Sequence, residues 1–269
     1  MPQIDLTKVL NRPWVRHTHL HEVSMEAEAE KRKPDVEWPR ILVGLPMGQG
    51  GCPPETFMNF IQLAYNGHRI LKVEGRVDVN RNRLMFKSRE EGYTHVLMLD
   101  IDHCHPPDIV KRLARWVIHD PTKLVVAGRN FRRSEPYDPQ VYDINDEDKL
   151  SHILEWEGDL IQVKVVGASA MLIDLRVMDI IPAPWFWNDY SSAAEGRFPG
   201  EDIGFCKKCL EYGVKVWCDM TAVSPHRTVG LVGEEVFEAY RKTDAGRALW
   251  ENATKELMSR EAVRAGKEA

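Results

Sequence analysis

Two aspartates one residue apart, Asp100 and Asp102 in THVLMLDID, are the sharpest chemical feature of the chain. They follow an apolar run, and ligands of open α/β sheets bind beyond the carboxyl ends of strands, so both carboxylates are expected at a crevice. Two hard oxygen groups this close can approach one Mg²⁺ or Mn²⁺ that shares its other positions with substrate phosphates. The plainer alternative is that Asp100 caps the next helix and Asp102 is solvated. A second acidic pair, Glu201-Asp202 in GEDIGF, opens a helical pattern whose N-terminal dipole keeps carboxylates ionised. Such an aspartate can take a proton from a hydroxyl nucleophile, or can merely complement the dipole.

His226, in AVSPHRTVG, can add an imidazole to a cation site begun by Asp102, unless it is only a surface residue. The segment from Arg76 to Arg89 carries Arg76, Arg81, Arg83, Lys87 and Arg89 against Asp78. Guanidinium forks of this kind suit a pyrophosphate, and a solvated helix face is the competing reading. Cys206 and Cys209 form a CxxC inside a helical pattern, where a buried structural pair fits better than a redox site.

These residues need a scaffold. ILVGLPM (41–47), HRILKVE (68–74), THVLMLD (94–100) and KLVVAG (123–128) read as strands, separated by helical patterns that open on prolines or end on glycines. One of those helices is expected from about residue 80 to 91. Residues 131–160 read as a polar excursion with some β structure, 161–174 as two β stretches around Gly167, and 214–219 as a late strand. This alternation predicts an α/β fold with a mainly parallel sheet covered by helices on both faces. The expected organisation is an N-terminal extension over 1–38, one domain over 39–226 and a helical tail over 227–269.

Composition narrows the classes. Lys and Arg number 36 against 41 Asp and Glu, a net charge of −5, which disfavours a globally basic nucleic-acid binder. No apolar run approaches the roughly 18–20 residues that span a bilayer, and MPQIDLTKVLNRPW lacks the order of a signal peptide. A soluble, cytoplasmic protein without membrane insertion is expected, with free thiols at its five cysteines.

A strand ending in Pro46, Arg81-Asn82 opening a helix, LDID, GASAMLID, GED and a late His226 occur in one order. This order resembles the GT-A glycosyltransferases, specifically the inverting family-2-like branch with its Rossmann-like nucleotide-binding fold. The resemblance implies a nucleotide-diphosphate-sugar donor, a UDP-sugar first among them, and Mn²⁺ or Mg²⁺ as cofactor. It implies that Asp100 lies near the ribose or metal, that Asp102 and His226 ligate the metal, and that Asp202 is the base with Glu201 at the acceptor. It places Arg81 at the donor, Pro46 beside the nucleotide, and Ile101, Gly167 and Ala168 along the donor site. Asp78 is the nearest candidate for a base-reading acid. Gly167 and Ala168 are small enough to let a sugar approach the backbone, or else form a tight turn. Trp185, Phe186, Trp187 and Tyr190 are the candidate acceptor wall, with packing of the sheet edge as the alternative. The Gly-rich GQGG, with Gly48, Gly50 and Gly51, matches no phosphate-loop pattern.

The acceptor stays open among a glycan, a small molecule, a lipid-linked intermediate, a protein hydroxyl and a hydroxymethylated pyrimidine in DNA. The last is modified by some phage relatives, and such a protein would work in the host cytoplasm. Two rival readings use the same residues. His95, His103, Cys104, His105 and His226 around DIDHCH could hold Zn²⁺ in a metallohydrolase. Arg76 to Arg89 with RNFRR (129–133) could serve a non-catalytic nucleic-acid-binding module.

Overall fold

The computed structural model describes residues 38–48, 52–65, 68–145, 149–188, 200–228 and 231–267. The extension expected over 1–38, apart from its last residue, lies outside the described residues, as do Gly50, Gly51 and Tyr190. In chain order the elements are β1 (Ile41–Met47), α1 (Pro54–Tyr65), β2 (Ile70–Glu74), α2 (Val77–Glu90), β3 (His95–Leu99), α3 (Ile109–His119) and β4 (Val125–Asn130). The chain continues through β5 (Val141–Ile144), β6 (Leu150–His152), β7 (Leu160–Val163), β8 (Val165–Val166), β9 (Ala170–Asp174) and α4 (Val177–Ile180). It ends with α5 (Glu201–Glu211), β10 (Val216–Ser224), β11 (His226–Arg227), β12 (Leu231–Val232), α6 (Glu234–Arg241) and α7 (Asp244–Lys267). None of the described helices is long and apolar enough to cross a membrane.

Seven strands form the main sheet in the order β2-β1-β3-β9-β4-β10-β7. β1 runs parallel to β2 and β3, and β4 parallel to β10. β9 is inserted antiparallel between β3 and β4, and β7 lines β10 antiparallel. The mixed, mainly parallel sheet expected from the sequence is therefore present. β5 pairs with β6 and β8 in a small second sheet, which accounts for the β-prone excursion after β4.

All five residues of HVLML in β3 are buried, as a central strand covered on both faces requires. Its side chains alternate between two cores. Val96 and Met98 join Leu84 and Met85 of α2 and Phe205, Cys206 and Cys209 of α5, whereas Leu97 and Leu99 join Phe60 and Leu63 of α1 and Leu113 and Val117 of α3. Helix α2 begins at Val77 rather than near residue 80. Gly75, at φ 137°, turns the chain out of β2, and the Asn80 amide donates to the carbonyls of Met47 and Gly75 at 2.9 and 3.0 Å. That side chain stitches the first turn to the end of β1, a tertiary contact with no local sequence signal.

β10 leaves its register with β4 between Asp219 and Val223. The buried Asp219 carboxylate organises the excursion, accepting hydrogen bonds from the Thr221 and Ala222 amides on one oxygen and from the Trp116 indole on the other. The strand then resumes and delivers Ser224 and His226 to the same end of the sheet as Asp100 and Asp102.

Candidate active site

β3 hands the chain to Asp100, whose amide donates to the Ser169 carbonyl at 2.8 Å. The following turn closes on itself, because His105 Nε2 donates to the Asp100 carbonyl at 2.8 Å. A carbonyl only accepts, so His105 Nδ1 carries the lone pair and accepts from the Ser224 hydroxyl at 3.0 Å. Burial, aided by His103, pushes the His105 imidazole down to about 3 and keeps it neutral. Backbone bonds from Cys104 N to Pro225 O and from Arg227 N to Asp102 O join this turn to the end of β10.

That stitching brings His103 and His226 into a stacked pair, with centroids 4.0 Å apart, and both rings reach the Asp102 carboxylate. Asp102 Oδ1 lies 3.0 Å from His103 Nδ1, and Oδ2 lies 3.1 Å from His226 Nε2. Burial would raise the Asp102 carboxyl, but hydrogen bonding to His103 and His226 prevails and holds it well below the usual range. His226 Nδ1 donates to the Phe131 carbonyl at 2.9 Å, so in the neutral ring the Nε2 lone pair faces a carboxylate oxygen. A proton on His226, or a cation shared by both groups, satisfies that pairing. His103 Nε2 is buried without a hydrogen-bond partner. Ligand atoms of Asp102, His103 and His226 lie within 4.8 Å of one another.

Asp102 and His226 thus converge as the resemblance implied, and His103 joins them. The sequence had offered His103 only to the zinc reading, since nothing local separates it from its neighbours. Asp100 is not part of this group; its two oxygens accept from Arg81 Nη2 at 2.8 and 3.0 Å. The larger zinc set assembles only in part: Asp102, His103 and His226 come together, whereas both His105 nitrogens are engaged and His95 sits at the other end of β3 beside Asp174.

Arg81 departs from its expected role. Its side chain is 2% exposed and its donors are committed: Nε to Glu201 Oε1 at 3.0 Å, Nη1 to the Ala168 carbonyl at 3.1 Å, and Nη2 to Asp100. A guanidinium has five N–H donors; these partners take four, the Met98 sulfur lies 3.9 Å from Nη1, and the buried side chain is closed to a pyrophosphate. Arg81 is instead an internal strut joining the end of β3, the turn before β9 and the first residue of α5.

On α5, Asp202 Oδ1 accepts the Ile203 amide at 2.8 Å. Burial, with Glu201 adding to it, raises the Asp202 carboxyl to about 6. Asp100 is likewise raised to about 6, by burial against the pull of Arg81. The structure therefore gathers Asp100, Glu201 and Asp202 around one cation, next to the Asp102 cluster.

Other candidates distribute less favourably. Trp185 is 3% exposed and its indole donates to the Ile181 carbonyl, so it is a core side chain rather than an acceptor wall. Phe186 stacks on Phe205 in the same core. Trp187 is 40% exposed and lies against Gly204 and Lys208 of α5. At Gly167 an added Cβ would sit 2.5 Å from the Asn130 amide, which makes GAS a packed turn, and Ala168 contributes its carbonyl to Arg81. Pro46 is buried in β1 opposite Val73, Ile101 is half-buried against the α3-side core, and Asp78 pairs with Arg76. The basic run is dispersed in space: Arg76 faces Asp78, Lys87 faces Glu90, Arg89 faces Asp179, and Arg81 is buried. Of RNFRR, Arg129 pairs with Glu234, Arg132 with Asp138, and Arg133 reaches to 4.0 Å from Asp102.

No family profile matches the sequence, and no curated protein matches it. Among solved structures, A197 from STIV is similar at a TM-score of 0.50 and 18% identity, over 70% of this chain and 86% of that one. GalNAc-T7 with UDP, GalNAc and Mn²⁺ is similar at 0.46 and 10% identity, over 78% of this chain but only 48% of that one, about half its length. Glucosyl-3-phosphoglycerate synthase from Mycobacterium tuberculosis, in complex with Mn²⁺, UDP-glucose and phosphoglyceric acid, is similar at 0.44 and 11% identity, over 85% and 83%. At such identities a likeness speaks to fold alone, and the architecture in which A197 is similar is a mixed, mainly parallel sheet flanked by helices.

Proposed function

We propose that this chain is a metal-dependent glycosyltransferase that moves a sugar from a nucleotide diphosphate, a UDP-sugar first among candidates, to an acceptor hydroxyl. The observation that carries the reading is the Asp102–His103–His226 cluster at the carboxyl ends of parallel strands, with Asp100 joined through Arg81 to Glu201 at the start of α5, where Asp202 follows.

The cluster fits a divalent cation. His103 Nε2 is a buried nitrogen without a partner, and His226 is fixed by Phe131 in the tautomer that leaves Nε2 as a ligand. One carboxylate with imidazoles suits Mn²⁺ better than Mg²⁺, which prefers oxygen. Asp102, His103 and His226 would hold such a cation, which would supply positive charge to balance that developing on the departing diphosphate. The protein's own groups do the rest. Asp202 takes the proton from the acceptor hydroxyl as that oxygen attacks the anomeric carbon; the carbon–oxygen bond to the diphosphate breaks, and its electron pair leaves with the nucleotide. A base opposite the leaving group makes the transfer inverting. Glu201, held by Arg81, lines the acceptor side. Four of the five basic side chains between Arg76 and Arg89 pair with acids and Arg83 reaches the Glu74 carbonyl, so charge gives DNA little support and a glycan or small polyol is the preferred acceptor.

The test is a panel of nucleotide sugars with Mn²⁺, read by thermal shift and by release of nucleotide diphosphate. Acceptor arms contain small polyols, glycans, ordinary duplex DNA and hydroxymethylated DNA. Stabilisation by one donor only when Mn²⁺ is present, followed by transfer, is expected. No donor binding with Mn²⁺ present refutes the proposal, and transfer confined to hydroxymethylated DNA refutes the preferred acceptor.

A further inference from the structure

The residues after His226 build the support on which that ring rests. β11 pairs with β12, with His226 opposite Val232, and the chain then enters α6 through Gly233. Val232 and Phe237 pack with Leu154 on the fully buried Phe131, and Trp250 of α7 joins the cluster. The carbonyl of that same Phe131 receives Nδ1–H of His226. Two residues earlier, the buried Arg129 guanidinium pairs with Glu234 of α6 at 2.8 Å and lies 5.4 Å from the centre of the Phe131 ring. On the far side the Phe131 backbone is pinned by a bridge to Pro139, while Phe237 of α6, together with Val232 and Leu154, bears on its side chain.

We infer that α6 is a positioning element for the metal centre. Through Phe237 and Glu234 it fixes the Phe131 carbonyl that orients His226, and so sets the affinity of the Asp102–His103–His226 cluster for a divalent cation. This rests on the reading of that cluster as a cation site. The physical ground is that a ligating imidazole is aimed by the partner of its other nitrogen, and loss of such a partner weakens metal binding roughly 10–100-fold. A backbone carbonyl cannot be mutated away, but the packing that places it can be loosened.

Mn²⁺ is titrated into the full chain, followed by calorimetry and by the electron paramagnetic resonance of free Mn²⁺, in the wild type, Phe237→Ala, Glu234→Gln and Leu63→Ala. Leu63 is buried in the separate α1–α3 core and reports general loss of stability. Phe237→Ala and Glu234→Gln are expected to bind Mn²⁺ about 10-fold more weakly, while Leu63→Ala lowers the melting temperature without changing affinity. Should Phe237→Ala fail to fold, Glu234→Gln decides. Wild-type affinity in the folded α6 variants, or an equal loss in Leu63→Ala, overturns the role of α6. Absence of Mn²⁺ binding in the wild type overturns the cation site itself, a separate result.

Discussion

Replacing Arg81 with Met keeps the volume of a long side chain and removes the cation that pairs with both Asp100 and Glu201. Both carboxylates are largely enclosed, with side chains 24% and 17% exposed, so water cannot fully take over the lost bonds. Removing one partner of a buried ion pair generally costs about 3–5 kcal/mol. Arg81 serves two carboxylates and a carbonyl, so the upper part of that range applies here. The loss should depend on pH. Asp100 is already raised to about 6 in the presence of Arg81, and without it the carboxyl moves higher still. A carboxyl with a raised folded-state value binds protons more readily folded than unfolded, so its penalty fades as pH falls through that value. Between pH 8 and pH 6 the variant should therefore recover stability relative to wild type, by up to about 1.4 kcal/mol per unit for each proton taken up. Urea unfolding followed by circular dichroism measures this, with an unchanged slope confirming that the same surface is exposed. Arg81→Met with Asp100→Asn should lose less than the sum of the single changes, since removing either partner already breaks the shared bond. A deficit below about 1 kcal/mol that is flat with pH, set against the 3–5 kcal/mol expected of a buried pair, would refute the strut.

Asp202→Asn should leave Mn²⁺-dependent donor binding intact and lower transfer by about 10²–10⁴-fold, in a single-turnover assay of nucleotide diphosphate release. In the wild type the ionised base is required, so the rate should climb tenfold per pH unit below about 6 and level off above it; a flat profile across that window removes Asp202 from the role. Gly204→Ala places a Cβ 2.1–2.3 Å from the ring and carbonyl of Trp187, one of which is backbone, so overpacking should cost at least about 1–3 kcal/mol and shift Trp fluorescence. Unchanged unfolding and emission would mean that α5 does not dock on that segment as described.

The parallel strands and their helices were legible because β1, β3 and β4 are short apolar runs that a two-sided sheet demands. The insertion of β9 between β3 and β4 was not, since a strand buried on both faces reads the same in either direction. Asp102 and His226 could be paired by their places after strands. His103 could not, because its role depends on the bridge to His226 across more than a hundred residues. The basic run misled for a related reason. Charge counted along α2 ignores that Arg81 points into the core and that Arg89 meets Asp179 from another element. Trp185 and Trp187 look alike in sequence, and only the docking of α5 separates the buried ring from the exposed one.

The turn from Asp100 to His105 is closed by its own histidine and tied by Ser224 to the end of β10. Its shape is thus fixed during folding, so uptake of a cation at the proposed site would have little disorder to remove. Stabilisation by a saturating ion should then follow mass action alone, growing with the logarithm of concentration over dissociation constant. Swapping one divalent ion for another would change how firmly the site is held and leave the outline presented to a donor unchanged.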